Sequence, residues 1–218
     1  MRTILDRVVN ADLDELKGYV QTVEDALEKQ LVYFGNGGSK EENPEGVHRF
    51  AVRFPSLIRC TAFVHLYSLL ECSLVNLCGH VRKFGSFRES VNDTNKKQKK
   101  NKKKDKKHNK IVAARTYLKD VAKVILPEGA VWRDVLQMID IRNAFVHGRG
   151  RIREDKITKE LKQYAKRKNP LIEIDGIGRI NLRNGYCQDA IEVVRQFFNA
   201  TLKSIPEKFL REEAKRRR

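Results

Sequence analysis

"DVLQMIDIRNAFVHG", Asp134 to Gly148, is the stretch from which the rest of the chain is read. Its apolar residues recur at helical spacing for two turns. The same helix then carries Arg142 and Asn143, with His147 five residues past the arginine and a glycine at the end. On a continuous helix Arg142 and His147 point about 140° apart and sit about 7.5 Å apart along the axis. Three arrangements would still bring them to one reacting group. They are the reach of the arginine side chain, a break in the helix near Gly148, or a two-fold axis across which each subunit presents its own pair.

Outward from this helix the chain alternates apolar helical segments with polar breaks. Ile4 to Leu27 places Leu5, Val9, Leu13, Leu16, Val20, Val23 and Leu27 on one stripe. "GNGGSKEENPEG" (Gly35–Gly46) reads as a loop. Leu57 to Phe84 is apolar on more than one side, as expected of a helix surrounded by protein. His65, Glu71 and Asn76 interrupt it, which argues against a membrane span. Ile111 to Leu126 resumes helical spacing until Pro127 and Gly129. Arg151 to Lys168 is a charged excursion, either a solvated helix or irregular. In "LIEIDGIGRINLRNG", Ile172, Ile174, Ile180 and Leu182 alternate about Asp175-Gly176 and Gly178, the pattern of a small β-hairpin. Ala190 to Leu202 is a last packed helix. The expectation is a mainly α chain of four to five core helices forming a bundle, with the hairpin before the last helix. It is read as one domain over residues 1–218.

Charge bears on partners more than on fold. Forty-five Lys and Arg against 28 Asp and Glu give a formal charge of +17, so polyanions are the natural counterpart. Ten lysines fall between Asn92 and Lys110 with no apolar side chain, predicting a flexible insertion at 92–110. Lys102, Lys103 and Lys104 at its centre are candidate RNA-backbone contacts, without aromatic residues for base stacking. A basic tail occupies 211–218. Beyond the central helix, "GRGRIR" offers Arg149, Arg151 and Arg153 as further candidates to grip an RNA backbone, or else forms a solvated turn. The four cysteines lack metal-ligand spacing, and the three inside the apolar helical segment read as buried free thiols, so no metal and no cofactor are expected. The N-terminal residues do not resemble a signal peptide, which leads to a cytoplasmic expectation with no membrane partner.

The trio suits a phosphodiester. A histidine can pass a proton near neutrality, and a guanidinium forks onto phosphate oxygens. An adjacent amide can orient either. No carboxylate cluster stands by to hold Mg²⁺, so the fitting chemistry is metal-free cleavage by the ribose 2′-hydroxyl, which requires RNA. The same residues would also serve as a helix C-terminal cap.

"IRNAFVHG", read as R-N-x-x-x-H, resembles the signature of the HEPN superfamily (higher eukaryotes and prokaryotes nucleotide-binding): arginine, four to six residues, histidine. "FVHLYSLLECSLVNLC" resembles the family's earlier core helix, with Glu71 in the place of its acidic residue. The hairpin followed by "DAIEVVRQFFNATLKSI" is similar to a bacterial nuclease-like subgroup, so the resemblance extends loosely over Phe50 to Ile205. It implies a helical bundle, commonly a homodimer with two motifs facing each other in a composite site. It also implies a metal-independent endoribonuclease of a toxin–antitoxin or antiphage system, leaving 2′,3′-cyclic phosphate and 5′-hydroxyl ends. The expected roles are proton transfer for His147 and phosphate binding for Arg142. Asn143 would orient one of them, and Glu71 would hold the histidine or the arginine in register. An antitoxin or defence-system partner is the corresponding protein ligand. The alternative within the family is a catalytically silent module that binds RNA or a partner protein.

Overall fold

A computed structural model of the chain describes residues 2–36, 44–101 and 109–206. It is mainly helical with one two-stranded antiparallel sheet. In order come α1 (Arg2–Asn36), α2 (Pro44–His48), a π-helical turn (Arg49–Arg53), α3 (Phe54–Gly85), α4 (Val91–Asn101) and α5 (Lys110–Thr116). A second π-helical turn (Tyr117–Val121), α6 (Ala130–Gly148), a 3₁₀ turn (Glu154–Lys156), α7 (Lys159–Arg167), β1 (Ile172–Ile174), β2 (Ile180–Leu182) and α8 (Tyr186–Lys203) follow. Two compact units are interleaved along the chain: residues 1–11, 68–133 and 194–218 in one, residues 12–67 and 134–193 in the other.

In the first unit the later half of α3 buries Leu70, Leu74, Leu77, Cys78 and Val81, and α5 buries Ile111, Ala113 and Ala114. Phe197 and Phe198 of α8 are buried there too, the former stacked on Trp132 at 6.0 Å between centroids. The stretch read as a helix to Leu126 stops at Val121. Ala122, Val124 and Leu126 are buried while Lys123 and Ile125 face outward, a period of two rather than 3.6. Lys123 has a φ of 57°, a left-handed residue that ends the helical run.

The start of the stretch expected to be a flexible insertion is also helical. Ser90 and Asp93 cap α4 reciprocally, the Ser90 backbone N–H donating to the Asp93 carboxylate at 2.9 Å and Asp93 N–H donating to Ser90 Oγ at 3.3 Å. Lys102–Lys104 and the tail at 211–218 lie outside the described residues, as does most of the predicted loop, residues 37–43. The rest of that loop is helical, since α1 continues through Gly35 and α2 begins at Pro44.

In the second unit α1 contributes Leu13, Leu16 and Val20, and α3 contributes Ala62, Phe63, Leu66 and Tyr67. Each fully buried side chain of this size stabilises the fold by about 1.5–3 kcal/mol. Phe63 contacts Phe145 of α6 and Tyr186 of α8 edge-on or tilted, at 6.3 and 5.6 Å. Arg59 forks onto the buried Glu24 and donates a further bond to the Leu182 carbonyl, tying α1 and α3 to the hairpin. The expected hairpin forms, pairing Ile172 with Leu182 and Ile174 with Ile180. The charged excursion resolves into order. Thr158 caps α7 by accepting from Leu161 N–H at 3.1 Å, and Leu161 and Tyr164 are buried.

Together α2, the π-turn and α3 are long and apolar enough to cross a membrane by length and composition, yet half of the most apolar window is buried in protein.

Candidate active site

The site is built on the last three turns of α6. Val135, Met138, Ile141 and Ala144 are buried, spaced three apart so that they hold one face of the helix down. The helix is unbroken from Ala130 to Gly148, which removes a break near Gly148 as a means of converging Arg142 and His147. It ends because two successive residues take positive φ, 52° at Arg149 and 80° at Gly150.

Arg142 is half-buried and fixed. Its guanidinium carbon lies 5.3 Å from the centroid of the buried Tyr67 ring, and Nη1 donates to Asn143 Oδ1 at 3.1 Å. Its Nε is buried without an acceptor among the described residues. An unsatisfied buried donor costs about 1–3 kcal/mol, and such groups often belong to working sites. His147 is exposed, and among the described residues its side chain makes no hydrogen bond.

The helix end is closed by backbone, with Gly150 N–H donating to Ala144 O at 2.9 Å and Arg151 N–H to Gly148 O at 3.0 Å. Among the described residues the side chain of Arg142 bonds Asn143 rather than a terminal carbonyl, and His147 bonds none.

Glu71 has a different partner from the one expected. Its carboxylate pairs with Lys110 Nζ at 3.1 Å, and both residues belong to the first unit, whereas Arg142, Asn143 and His147 belong to the second.

The segment after α6 is pinned rather than loose. Arg151 forms an antiparallel bridge to Arg179, flanked by Ile152 N–H donating to Gly178 O at 2.8 Å and Ile180 N–H to Gly150 O at 2.9 Å. Gly178, at φ 75°, is obligatory here, since a Cβ would stand 2.1 Å from the Ile152 carbonyl oxygen. Arg149 and Arg151 are exposed and unpaired among the described residues. Arg153 instead forks onto Asp155 at 3.0 and 3.1 Å.

His65, one of the three polar residues that interrupt the apolar run of α3, is exposed. All four cysteines are free as expected, but Cys72 is exposed and only Cys78 and Cys187 are buried. Among the described residues no group of three His, Cys, Asp or Glu side chains is placed to hold a metal ion. Tyr67 and Arg179 were not among the candidates. A ring four residues ahead of Glu71 on the core helix was the one available hint of Tyr67, and nothing along the chain pairs residue 151 with residue 179.

No family model matches the chain, and neither a curated protein nor a solved structure matches it.

Proposed function

We propose that this chain is a HEPN-type endoribonuclease that cleaves RNA without a metal ion. In the reaction the ribose 2′-hydroxyl attacks the adjacent phosphate, losing its proton to a base. The leaving 5′-oxygen takes up a proton as its bond to phosphorus breaks, so a 2′,3′-cyclic phosphate and a 5′-hydroxyl result. His147 passes the proton, Arg142 binds the phosphate oxygens, and Asn143 steadies the guanidinium. The observation that carries this reading is that Arg142 and His147 share one helix end without capping it. The guanidinium is held on Tyr67 while the imidazole stands exposed.

On an unbroken helix the two groups diverge by about 140°. Arg142 is held toward Tyr67 and Asn143, so convergence on one phosphate is proposed to occur across the two-fold axis of a homodimer. The resemblance extends the proposal to a cytoplasmic toxin or antiphage effector, governed by an antitoxin or defence-system partner.

The same divergence favours a second reading, in which the module binds RNA or a partner protein and does not cleave. Labelled cellular RNA incubated with purified protein in EDTA separates the two. The nuclease produces cyclic-phosphate ends that His147→Ala and Arg142→Ala both abolish. Intact RNA in all samples, or equal cleavage by all three proteins, rejects the nuclease.

A further inference from the structure

The bridge between Arg151 and Arg179 sets two guanidinium-bearing residues directly opposite each other. Because the flanking residues make the backbone bonds, this is a non-hydrogen-bonded pair. In such pairs the Cα atoms are about 4.5 Å apart and the side chains rise from one face. Like charges in that position are destabilising. Both arginines are exposed, and among the described residues neither has an ion-pair partner.

Three acids of these segments have partners of their own, and the exposed Glu154 pairs with neither arginine among the described residues. Asp155 holds Arg153, and Glu173 holds Arg183 at 2.7 Å. Asp175, the acid closest along the hairpin to Arg179, accepts from the backbone N–H groups of Ile177 at 3.0 Å and Arg179 at 2.8 Å. The juxtaposition is also enforced. Gly178 allows the Ile152 carbonyl to approach to a distance that a Cβ at this position would block. Along the chain, Arg149 and Arg151 follow His147 by two and four residues.

We propose that Arg151 and Arg179, with Arg149 beside them, form a clamp for the phosphodiester backbone of the RNA, one that binds the strand beyond the His147 end of α6. A phosphate with two free oxygens relieves the repulsion between the arginines by accepting from both forks at once. Arg179, on a different element from the other two, gives the clamp a second wall. The identity of the strand as RNA rests on the endoribonuclease reading; the anion-binding geometry does not.

The test uses the full-length protein and a fluorescein-labelled single-stranded RNA made uncleavable by 2′-O-methyl groups. Binding is measured over a series of salt concentrations for the natural sequence, Arg151→Ala, Arg179→Ala and Arg179→Glu. Each alanine variant is expected to bind about fivefold more weakly at every sequence tested, with the slope of log K against log salt reduced by about 0.7. Arg179→Glu should bind more weakly still, yet melt at the same or a higher temperature, because it places a carboxylate opposite Arg151.

Unchanged affinity and salt slope in the Arg179 variants overturns the clamp, as does a loss of affinity that comes with a lower melting temperature in Arg179→Glu. Arginine-dependent binding to phosphatidylserine vesicles with none to RNA overturns it as well. If no RNA is cleaved but the arginine dependence of binding persists, the nuclease reading fails and the clamp stands. If cleavage depends on His147 while Arg179 variants bind normally, the clamp alone fails.

Discussion

The Arg142 guanidinium lies over the Tyr67 ring, 5.3 Å from its centroid, while its own Nε is buried without an acceptor among the described residues. These effects oppose each other. A cation–π contact of this kind contributes about 0.5–2 kcal/mol, and the unsatisfied donor costs about 1–3 kcal/mol. Arg142→Met keeps the aliphatic stem and removes both. It also removes the Nη1 bond to Asn143, so the terms nearly cancel and stability in urea should change by no more than about 1 kcal/mol in either direction. Cleavage of RNA should fall about 100-fold or more, the usual loss when a donor to a developing phosphate charge is removed. A variant that loses stability and activity together would make Arg142 a packing residue instead.

His147 offers the complementary case. It is exposed and its side chain makes no hydrogen bond among the described residues, so His147→Ala should shift stability by no more than about 0.5 kcal/mol. Loss of a general acid–base group should still slow cleavage by about 10²–10⁴-fold. If the site is composite, mixing His147→Ala with Arg142→Ala subunits should restore part of the activity, because one of the two sites in the mixed dimer keeps both groups. Two inactive variants that stay inactive when mixed would place the arginine and the histidine of a working site in one subunit.

What could be read along the chain divides by the range of the interactions concerned. The hairpin was legible because its isoleucines alternate around a glycine-containing turn, and all the signals lie within a dozen residues. α6 and α8 announced themselves by apolar spacing. The end of the helix after Val121 did not, since Val124 and Leu126 fit the start of another helical turn nearly as well as an extended run. α4 was obscured by its lysines, although Ser90 and Asp93 at its start carry a capping pattern. The surroundings of Arg142 were out of reach. Which ring on α3 meets it depends on how the two helices pack, and no local pattern encodes that. Arg179 lay hidden for the same reason, because its pairing with Arg151 spans two segments that each look like polar turn.

Gly178 is the residue on which the order of the arginine segment turns. Any side chain there meets the Ile152 carbonyl oxygen, 2.1 Å from the ideal Cβ, and must also adopt a φ of 75°. Gly178→Ala should cost about 1–3 kcal/mol in chemical denaturation from the backbone strain alone, with separation of the bridge adding to it. Gly176, also in the turn, has nothing within 4 Å of its Cβ position and no positive φ, so Gly176→Ala serves as the control and should change stability little. Equal losses at both positions would mean that the bridge between residues 151 and 179 contributes nothing to the fold.

The alkaline limb of stability should carry the signature of buried acids that prefer to stay neutral. Burial pushes the thiols of Cys78 and Cys187 from an ordinary value of 9.0 up to about 12, and the Tyr117 phenol from 10.0 to about 12. Tyr164 and Tyr186, whose hydroxyls meet at 3.1 Å, are shifted the same way by burial. The folded state thus binds these protons more tightly than the unfolded chain does. Their contribution is fully present below the unfolded values and is lost as pH rises through the folded ones. For each group the slope in that window is about −1.4 kcal/mol per pH unit. Stability should accordingly fall from about pH 9 toward pH 12, the thiols acting first and the phenols from about pH 10. Cys78→Ala combined with Cys187→Ala should lower stability at neutral pH but make the decline between about pH 9 and 10 shallower, where the thiols titrate ahead of the phenols and Cys60, raised by burial too, keeps a smaller share. Urea denaturation across that range reads the difference as a change of slope rather than of height. If the double variant declines as steeply as the natural sequence, the buried thiols are not the source of the alkaline loss.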